Sequence, residues 1–116
     1  MKLICIGVAA VVLTMSAAAA AQSARDASCI LVSNAFSKQG KDENAQKLAQ
    51  ASLYFYLGRI SASTTAAQLK ALLEQQAKTI TDATAGNVMN DCVKDLQARI
   101  QLMESLSQPP KKPEGR

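Results

Sequence analysis

Hydrophobic positions in this chain recur mostly at helical spacing. After the apolar N-terminus, Cys29, Val32 and Phe36 follow one another at intervals of three and four residues, which places them on one face of a helix. This spacing predicts a first helix that begins near residue 26 and ends at Lys38. Gly40 follows it and is expected to cap the helix in the left-handed conformation.

The second predicted helix contains the densest apolar run outside the N-terminal leader. Asp42 is a suitable N-cap, and the early turns are apolar on one side only. Residues 53–60 are almost entirely apolar and include three of the chain's four aromatic rings. Because a helix that is apolar all round is normally enclosed by its neighbours, this run is predicted to be the centre of the fold. Gly58 within it indicates either a close backbone neighbour or the approaching end of the helix.

Two further helices are predicted before the C-terminus. Thr65 and Gln68 match a capping box at the start of the third helix. Its single apolar face contains Leu69, Leu72, Leu73, Gln76 and Ile80. Residues 81–86 combine β-branched residues with a glycine and predict a loop or a kinked junction. A fourth helix is predicted over residues 87–107, with a seam spaced by four and three residues, as in helix bundles. The seam contains Met89, Val93, Leu96, Ile100 and Met103.

The N-terminus has the features of a secretory signal peptide. Lys2 is followed by an uncharged, mostly apolar run over residues 3–15, and residues 19–21 form an A-x-A cleavage site before Gln22. The apolar run is shorter than the about 20 residues that a membrane-spanning helix needs, although a retained anchor helix is the alternative. We therefore expect residues 1–21 to be removed and the protein to be periplasmic or secreted.

The remaining chain predicts an all-α fold. Residues 22–107 are expected to form one small helical domain, an up-and-down or orthogonal bundle of about four helices. Residues 108–116 are rich in proline and lysine and predict a disordered tail. Much of the net charge of +4 lies in the leader and this tail, so no basic face for nucleic acid is expected. No stable membrane insertion is expected after signal cleavage.

The cysteine content indicates a covalent link between the first and last helices. Cys5 lies in the leader, which leaves Cys29 and Cys92 in the bundle. Two cysteines in a small exported chain usually form a disulfide, and one that closes a loop of this length adds about 4 kcal/mol of stability. A redox-active pair or a metal site is the alternative, but the chain contains neither a C-x-x-C motif nor a histidine.

The sequence contains none of the residue combinations that form common catalytic sites. Without histidine there is no Ser-His-Asp triad or Cys-His pair, and no glycine-rich phosphate-binding motif is present. Asp91 and Asp95 flank Cys92 at helical spacing, with Arg99 close by, and are expected to form a solvated face rather than a metal site. The sequence therefore predicts a protein that is not an enzyme and uses no cofactor or metal.

One group of side chains is a candidate for binding. Tyr54, Tyr56 and Arg59 are of the residue types enriched at binding hot spots, and Arg59 shares a helix face with Tyr56. The alternative is that both phenols support the core with their hydroxyls at its rim, while Arg59 extends to solvent.

The cysteine neighbourhoods and the second helix also carry a family resemblance. Cys29 begins a C-[ILV]-x-[ILV]-S segment, FYLGR ends at Arg59, and Cys92 follows on the last helix. This layout resembles small uncharacterised exported helical proteins of alphaproteobacteria. More distantly, it is similar to the HdeA-like group, which includes acid-stress chaperones and type VI secretion immunity proteins. The resemblance implies a disulfide-stapled helical scaffold in the periplasm.

These observations predict a non-enzymatic exported protein that binds another protein or a stressed client. The alternatives are a small-ligand or lipid-binding bundle with a pocket beside Tyr54, Tyr56 and Arg59, or a toxin-neutralising partner of the immunity type.

Overall fold

The computed structural model describes residues 13–40 and 42–109, which form four α-helices. The helices are α1 (Leu13–Gln39), α2 (Glu43–Ser61), α3 (Ala66–Ala77) and α4 (Asp82–Ser107). The described ranges contain no strand, which confirms the all-α fold. None of these helices has an apolar stretch long enough to cross a membrane. Most of the predicted signal peptide and most of the predicted tail lie outside the described residues.

The start predicted for α1 was wrong, because the helix already includes Leu13 rather than beginning near residue 26. Residues 17–21 are five consecutive alanines, and alanine has the highest helix propensity of all residues. They continue the helix although their side chains are exposed to solvent. The prediction used apolar periodicity, which a run of alanines does not show.

The turn between α1 and α2 depends on the absence of a side chain at Gly40. The helix ends at Gln39, close to the predicted end, but Gly40 does not adopt the left-handed conformation. Its N–H donates to the carbonyl oxygen of Phe36 at 3.0 Å. A Cβ at Gly40 would lie 2.9 Å from Cγ of Gln46 and 3.0 Å from the Phe36 oxygen. Glycine is therefore required here for space.

The predicted N-caps of α2 and α3 are confirmed. Asp42 accepts a hydrogen bond from the N–H of Asn44, and Thr65 and Gln68 form the reciprocal capping box. The loop predicted over residues 81–86 was wrong, because α4 begins at Asp82. An aspartate in the first turn suits the positive end of the helix dipole, and Thr84 accepts from the N–H of Thr81 at 3.0 Å.

The core lies where α1 packs against α2 and α4. Tyr56 and Ile60 are the largest fully buried side chains, as the apolar run of α2 suggested. Ser33 and Ser52 are also fully buried, and their hydroxyls share a hydrogen bond of 2.8 Å between α1 and α2. Small side chains at this contact let the two backbones approach closely. The half-buried leucines of α3 then cover the cluster from one side.

Residues 53–60 contribute Tyr56 and Ile60 to the core, as predicted, but the expectation that the run is enclosed all round was wrong. Tyr56 and Ile60 are buried, whereas Tyr54 is 62% exposed. A Cβ at Gly58 would meet no atom within 4 Å, which excludes a close backbone neighbour. The helix ends three residues later, at Ser61, in agreement with the other interpretation of this glycine.

Candidate functional site

Cys29 and Cys92 join α1 to α4 beneath the candidate site. Their sulfur atoms are 2.06 Å apart, which is a disulfide distance, and both side chains are buried. Ser33, which follows Cys29, contacts Met89, which precedes Cys92. The two helices therefore run antiparallel, and the turn before Cys29 lies beside the turn after Cys92. Asp26 and Asp95 occupy these two turns, three residues from the respective cysteines.

Arg59 extends from α2 into the space between these carboxylates. Its Nε donates to Oδ2 of Asp26 at 3.0 Å, and its Nη2 donates to Oδ1 of the same carboxylate. Its Nη1 lies 3.6 Å from Oδ2 of Asp95. The hydrogen bond to Asp26 raises the pKa of Arg59 above its ordinary value, although burial opposes this effect. A charged group on α2 thus contacts both α1 and α4.

Tyr56 lies on the buried side of the network that Arg59 forms with Asp26 and Asp95. Its hydroxyl donates to the carbonyl oxygen of Cys92 at 2.8 Å and lies 3.3 Å from Oδ2 of Asp95. Burial raises the pKa of Tyr56 to about 12, and the negative charge of Asp95 adds to the shift. The phenol therefore stays protonated at neutral pH and serves as a hydrogen-bond donor that fixes α2 against α4.

The structure brings together only two of the three predicted binding residues. Tyr56 and Arg59 share the network, and the Arg59 guanidinium carbon is 5.0 Å from the centre of the Tyr56 ring. Tyr54 points away from it into solvent. The expectation that Tyr54 and Tyr56 both place their hydroxyls at the rim of the core is wrong for Tyr56, which is fully buried.

An open cleft of about 410 Å³ lies on the solvent side of Arg59. The residues that line it, here called the arginine cleft, are Ala21, Gln22, Arg25, Arg59, Asp95 and Arg99. Three of the chain's four arginines therefore meet at one place, and the fourth, Arg116, lies outside the described residues. Nε of Arg99 is 3.8 Å from Oδ1 of Asp95. No described carboxylate lies within 4 Å of the Arg25 guanidinium.

The aromatic ring of Phe55 packs against the guanidinium groups of two of these arginines. Its ring centre is 5.2 Å from the guanidinium carbon of Arg59 and 5.7 Å from that of Arg99. At these distances a guanidinium is attracted to the aromatic face. The two cations are therefore oriented by a shared ring as well as by carboxylates.

The C-terminal part of α4 carries four exposed apolar side chains, here called the apolar end of α4. They are Ile100 (41% exposed), Leu102 (60%), Met103 (68%) and Leu106 (77%). The predicted α4 seam is buried at Met89 and Leu96, but burial stops there, so the prediction was wrong for Ile100 and Met103. The alanine run of α1 is itself exposed, so it is not packed over them.

Sequence reasoning missed most of the arginine cleft. Arg25 and Asp26 were not assigned to a site, and Asp95 and Arg99 were expected to form a solvated face. The sequence carried no signal for them, because a Cys29–Cys92 bond fixes one point of contact between α1 and α4 but not the direction in which the two helices run. Within residues 13–40 and 42–109, no three acidic or cysteine side chains come together as metal ligands.

Comparison with known proteins gives no identity for the chain. No family model, curated protein or solved structure matches it. The function proposed for the chain therefore depends on the geometry of the arginine cleft and of the apolar end of α4.

Proposed function

We propose that this chain is an exported, non-enzymatic protein that binds a polypeptide partner through the apolar end of α4. One observation carries the proposal: the face of α4 that is buried at Met89 and Leu96 continues, exposed, through Ile100 and Met103. Contiguous large apolar side chains on the surface of a small protein are typical of an interaction site. A segment of another polypeptide would complete this seam.

The charge beside the apolar end indicates the chemistry of the partner. Arg99 directly precedes Ile100 on α4, and the arginine cleft holds Arg25 and Arg59 as well, whereas Glu104 is the single acid within residues 100–107. Complementary charge increases both the specificity and the rate of association. The partner segment is therefore expected to present apolar side chains at helical spacing together with acidic side chains.

Export is proposed from the signal-peptide pattern of residues 1–21 and from the cysteine pair. A bond between Cys29 and Cys92 is compatible with an oxidising compartment, where disulfides persist. The proposed likeness to the HdeA-like group also agrees with a protein-binding role. A small-ligand pocket beside the predicted residues has less support, because neither Tyr54 nor Tyr56 lines the arginine cleft.

Selection from a random peptide library tests this proposal, because it does not require that the partner be identified first. We expect the purified protein to enrich peptides that combine apolar residues at helical spacing with aspartate or glutamate. Replacing both Ile100 and Met103, the exposed continuation of the seam, with serine should weaken binding of the selected peptides at least about tenfold, the loss that corresponds to 1.4 kcal/mol. The matched control is Tyr54→Ser, which removes a similarly exposed large side chain from α2.

Two results would overturn the proposal. One is the absence of any enriched peptide class. The other is equal binding of the selected peptides to the wild type and to the Ile100→Ser/Met103→Ser variant. Both side chains are exposed, so their substitution should change stability by only about 0.5 kcal/mol, and thermal unfolding verifies that the variant is folded.

A further inference from the structure

We infer that the arginine cleft binds a single carboxylate group, which an acidic residue of the polypeptide partner supplies. The inference rests on the proposed function, because the cleft adjoins the apolar end of α4 through Arg99 and Ile100. An acidic side chain on a segment that packs along Ile100 and Met103 could reach the cleft directly. The cleft would then give the apolar surface its preference for one class of partner.

The charges in the cleft are not balanced within the chain. Asp26 is engaged by Arg59 through two hydrogen bonds. Asp95 lies between Arg59 and Arg99, at 3.6 Å and 3.8 Å, and therefore makes no short contact with either. Arg25 has no described carboxylate within 4 Å. Three guanidinium groups face two carboxylates in the described chain, and signal cleavage would place a new α-ammonium group beside them. At least one positive charge therefore remains for a ligand.

Asp95 and the polypeptide nature of the partner favour a carboxylate over a phosphate. Both anions can accept two parallel hydrogen bonds from a guanidinium, but a carboxylate carries only one negative charge. A phosphate carries a second negative charge for much of its titration range. Asp95 lines the cleft and would repel that additional charge. A carboxylate, which is the anion that a polypeptide side chain supplies, therefore matches the cleft better than a phosphate dianion.

Two of the three arginines of the cleft are held in position before a ligand arrives. Asp26 holds Arg59, and the ring of Phe55 lies beneath both Arg59 and Arg99. Arg25 lies four residues before Cys29, on the part of α1 that the disulfide holds against α4. Fixed donors lower the entropy that is lost on binding, which increases affinity for a small anion.

A titration with sodium acetate tests the inference directly on the purified protein. Acetate replaces chloride at constant ionic strength, and the side-chain Nε–H signals of the arginines are followed by NMR. We expect saturable shifts of the Arg25 and Arg99 signals. Arg25→Gln should raise the apparent dissociation constant at least about tenfold. Lys94→Gln is the matched control, because it removes an exposed charge from α4 that does not line the cleft.

The competing anion is inorganic phosphate, for which we expect weaker binding than for acetate. Tighter binding of phosphate would overturn the assignment to a carboxylate, and shifts that remain linear with acetate concentration would overturn the site itself. Failure here and failure of the proposed function are distinguishable. If acetate does not bind but peptides still select the apolar end of α4, only the cleft assignment is lost. If acetate binds but no acidic peptide is selected, a partner's acidic residue is excluded as the source.

Discussion

Asp26 is almost completely buried, and its ionised carboxylate is stable there because Arg59 donates two hydrogen bonds to it. The sequence predicted a contact of Arg59 with Tyr56 or with a ligand, but not its ion pair with Asp26. Its carboxylate partner lies 33 residues away and could not be identified from local spacing. The burial of Ser33 and Ser52 was missed for a similar reason, since serine is usually exposed and gives no apolar signal.

Loss of the Arg59 side chain should destabilise the fold strongly. We expect Arg59→Met to lower the free energy of unfolding by about 3 kcal/mol, because it leaves the Asp26 carboxylate buried without a partner. The Asp26→Leu/Arg59→Met double variant should be more stable than Arg59→Met alone. Urea unfolding followed by circular dichroism measures these differences.

Arg99→Met is the control for the loss of an arginine at this place. Arg99 is half exposed and its contact with Asp95 is long, so the expected cost is less than about 1 kcal/mol. An Arg59→Met variant that is no less stable than Arg99→Met would contradict the role assigned to the Asp26 contact.

Tyr56 should make stability depend on alkaline pH. Its pKa is raised from 10.0 to about 12 in the folded protein, mainly by burial. Between these values the unfolded state releases the phenolic proton while the folded state retains it. The contribution of Tyr56 is therefore fully present below pH 10 and is lost as the pH rises through about 12, a change of roughly 2–3 kcal/mol.

Tyrosinate absorbance measures this shift in the Tyr54→Phe variant, whose only tyrosine is Tyr56. The remaining phenol should titrate near pH 12 while the protein stays folded. Titration near pH 10 in the folded variant would show that Tyr56 is not held as the structure describes. Tyr56→Phe should remove this part of the alkaline loss of stability.

At the scale of elements, helix ends that depend on local chemistry were predictable and those that depend on composition were not. Asp42, Thr65 and Gln68 each have a side chain that satisfies free N–H groups, and their sequence signals were correct. The beginning of α4 was missed because threonine and glycine in residues 81–86 suggested a loop. The helix forms there because Asp82 and the alanines favour its first turns.

The glycines provide a test at this scale. Gly58 and Gly86 lie in exposed helical positions where a Cβ would meet no atom within 4 Å. Replacing either with alanine should stabilise the protein by about 0.5–1 kcal/mol, because alanine loses less backbone entropy in a helix. Gly40→Ala should instead destabilise it by about 1 kcal/mol or more, through contacts with Gln46 and the Phe36 carbonyl oxygen.

Thermal unfolding of the three single variants measures this difference in sign. Stabilisation by Gly40→Ala would contradict the close contact in the α1–α2 turn. Destabilisation by Gly58→Ala would indicate that another part of the chain packs closely against α2 at Gly58. That result would contradict the open space that the structure shows there.

At the scale of the whole molecule, the cysteine pair determines which residues meet. An antiparallel link between α1 and α4 at Cys29 and Cys92 places the preceding turn of α1 beside the following turn of α4. Asp26, Asp95 and the three arginines of the cleft lie within that region. The sequence predicted the pair but not the direction of the helices at their contact, so the cleft could not be predicted from it.

The point along α4 at which the seam becomes exposed also depends on the packing of the whole molecule. The seam pattern was regular through Met103, and a pattern alone does not show where the neighbouring helices stop covering it. Leu96 is buried and Ile100 is exposed, although both belong to the same predicted seam. The exposed remainder of the seam is the surface that the proposed function uses.

The most direct test of this account is a peptide map of the native, exported protein, digested without reductant and analysed by mass spectrometry. The account predicts a single linked species that joins the peptide containing Cys29 to the peptide containing Cys92, together with an N-terminus at Gln22. Recovery of both cysteines as free thiols would contradict it, because α1 and α4 would then have no covalent bond to hold the arginine cleft together.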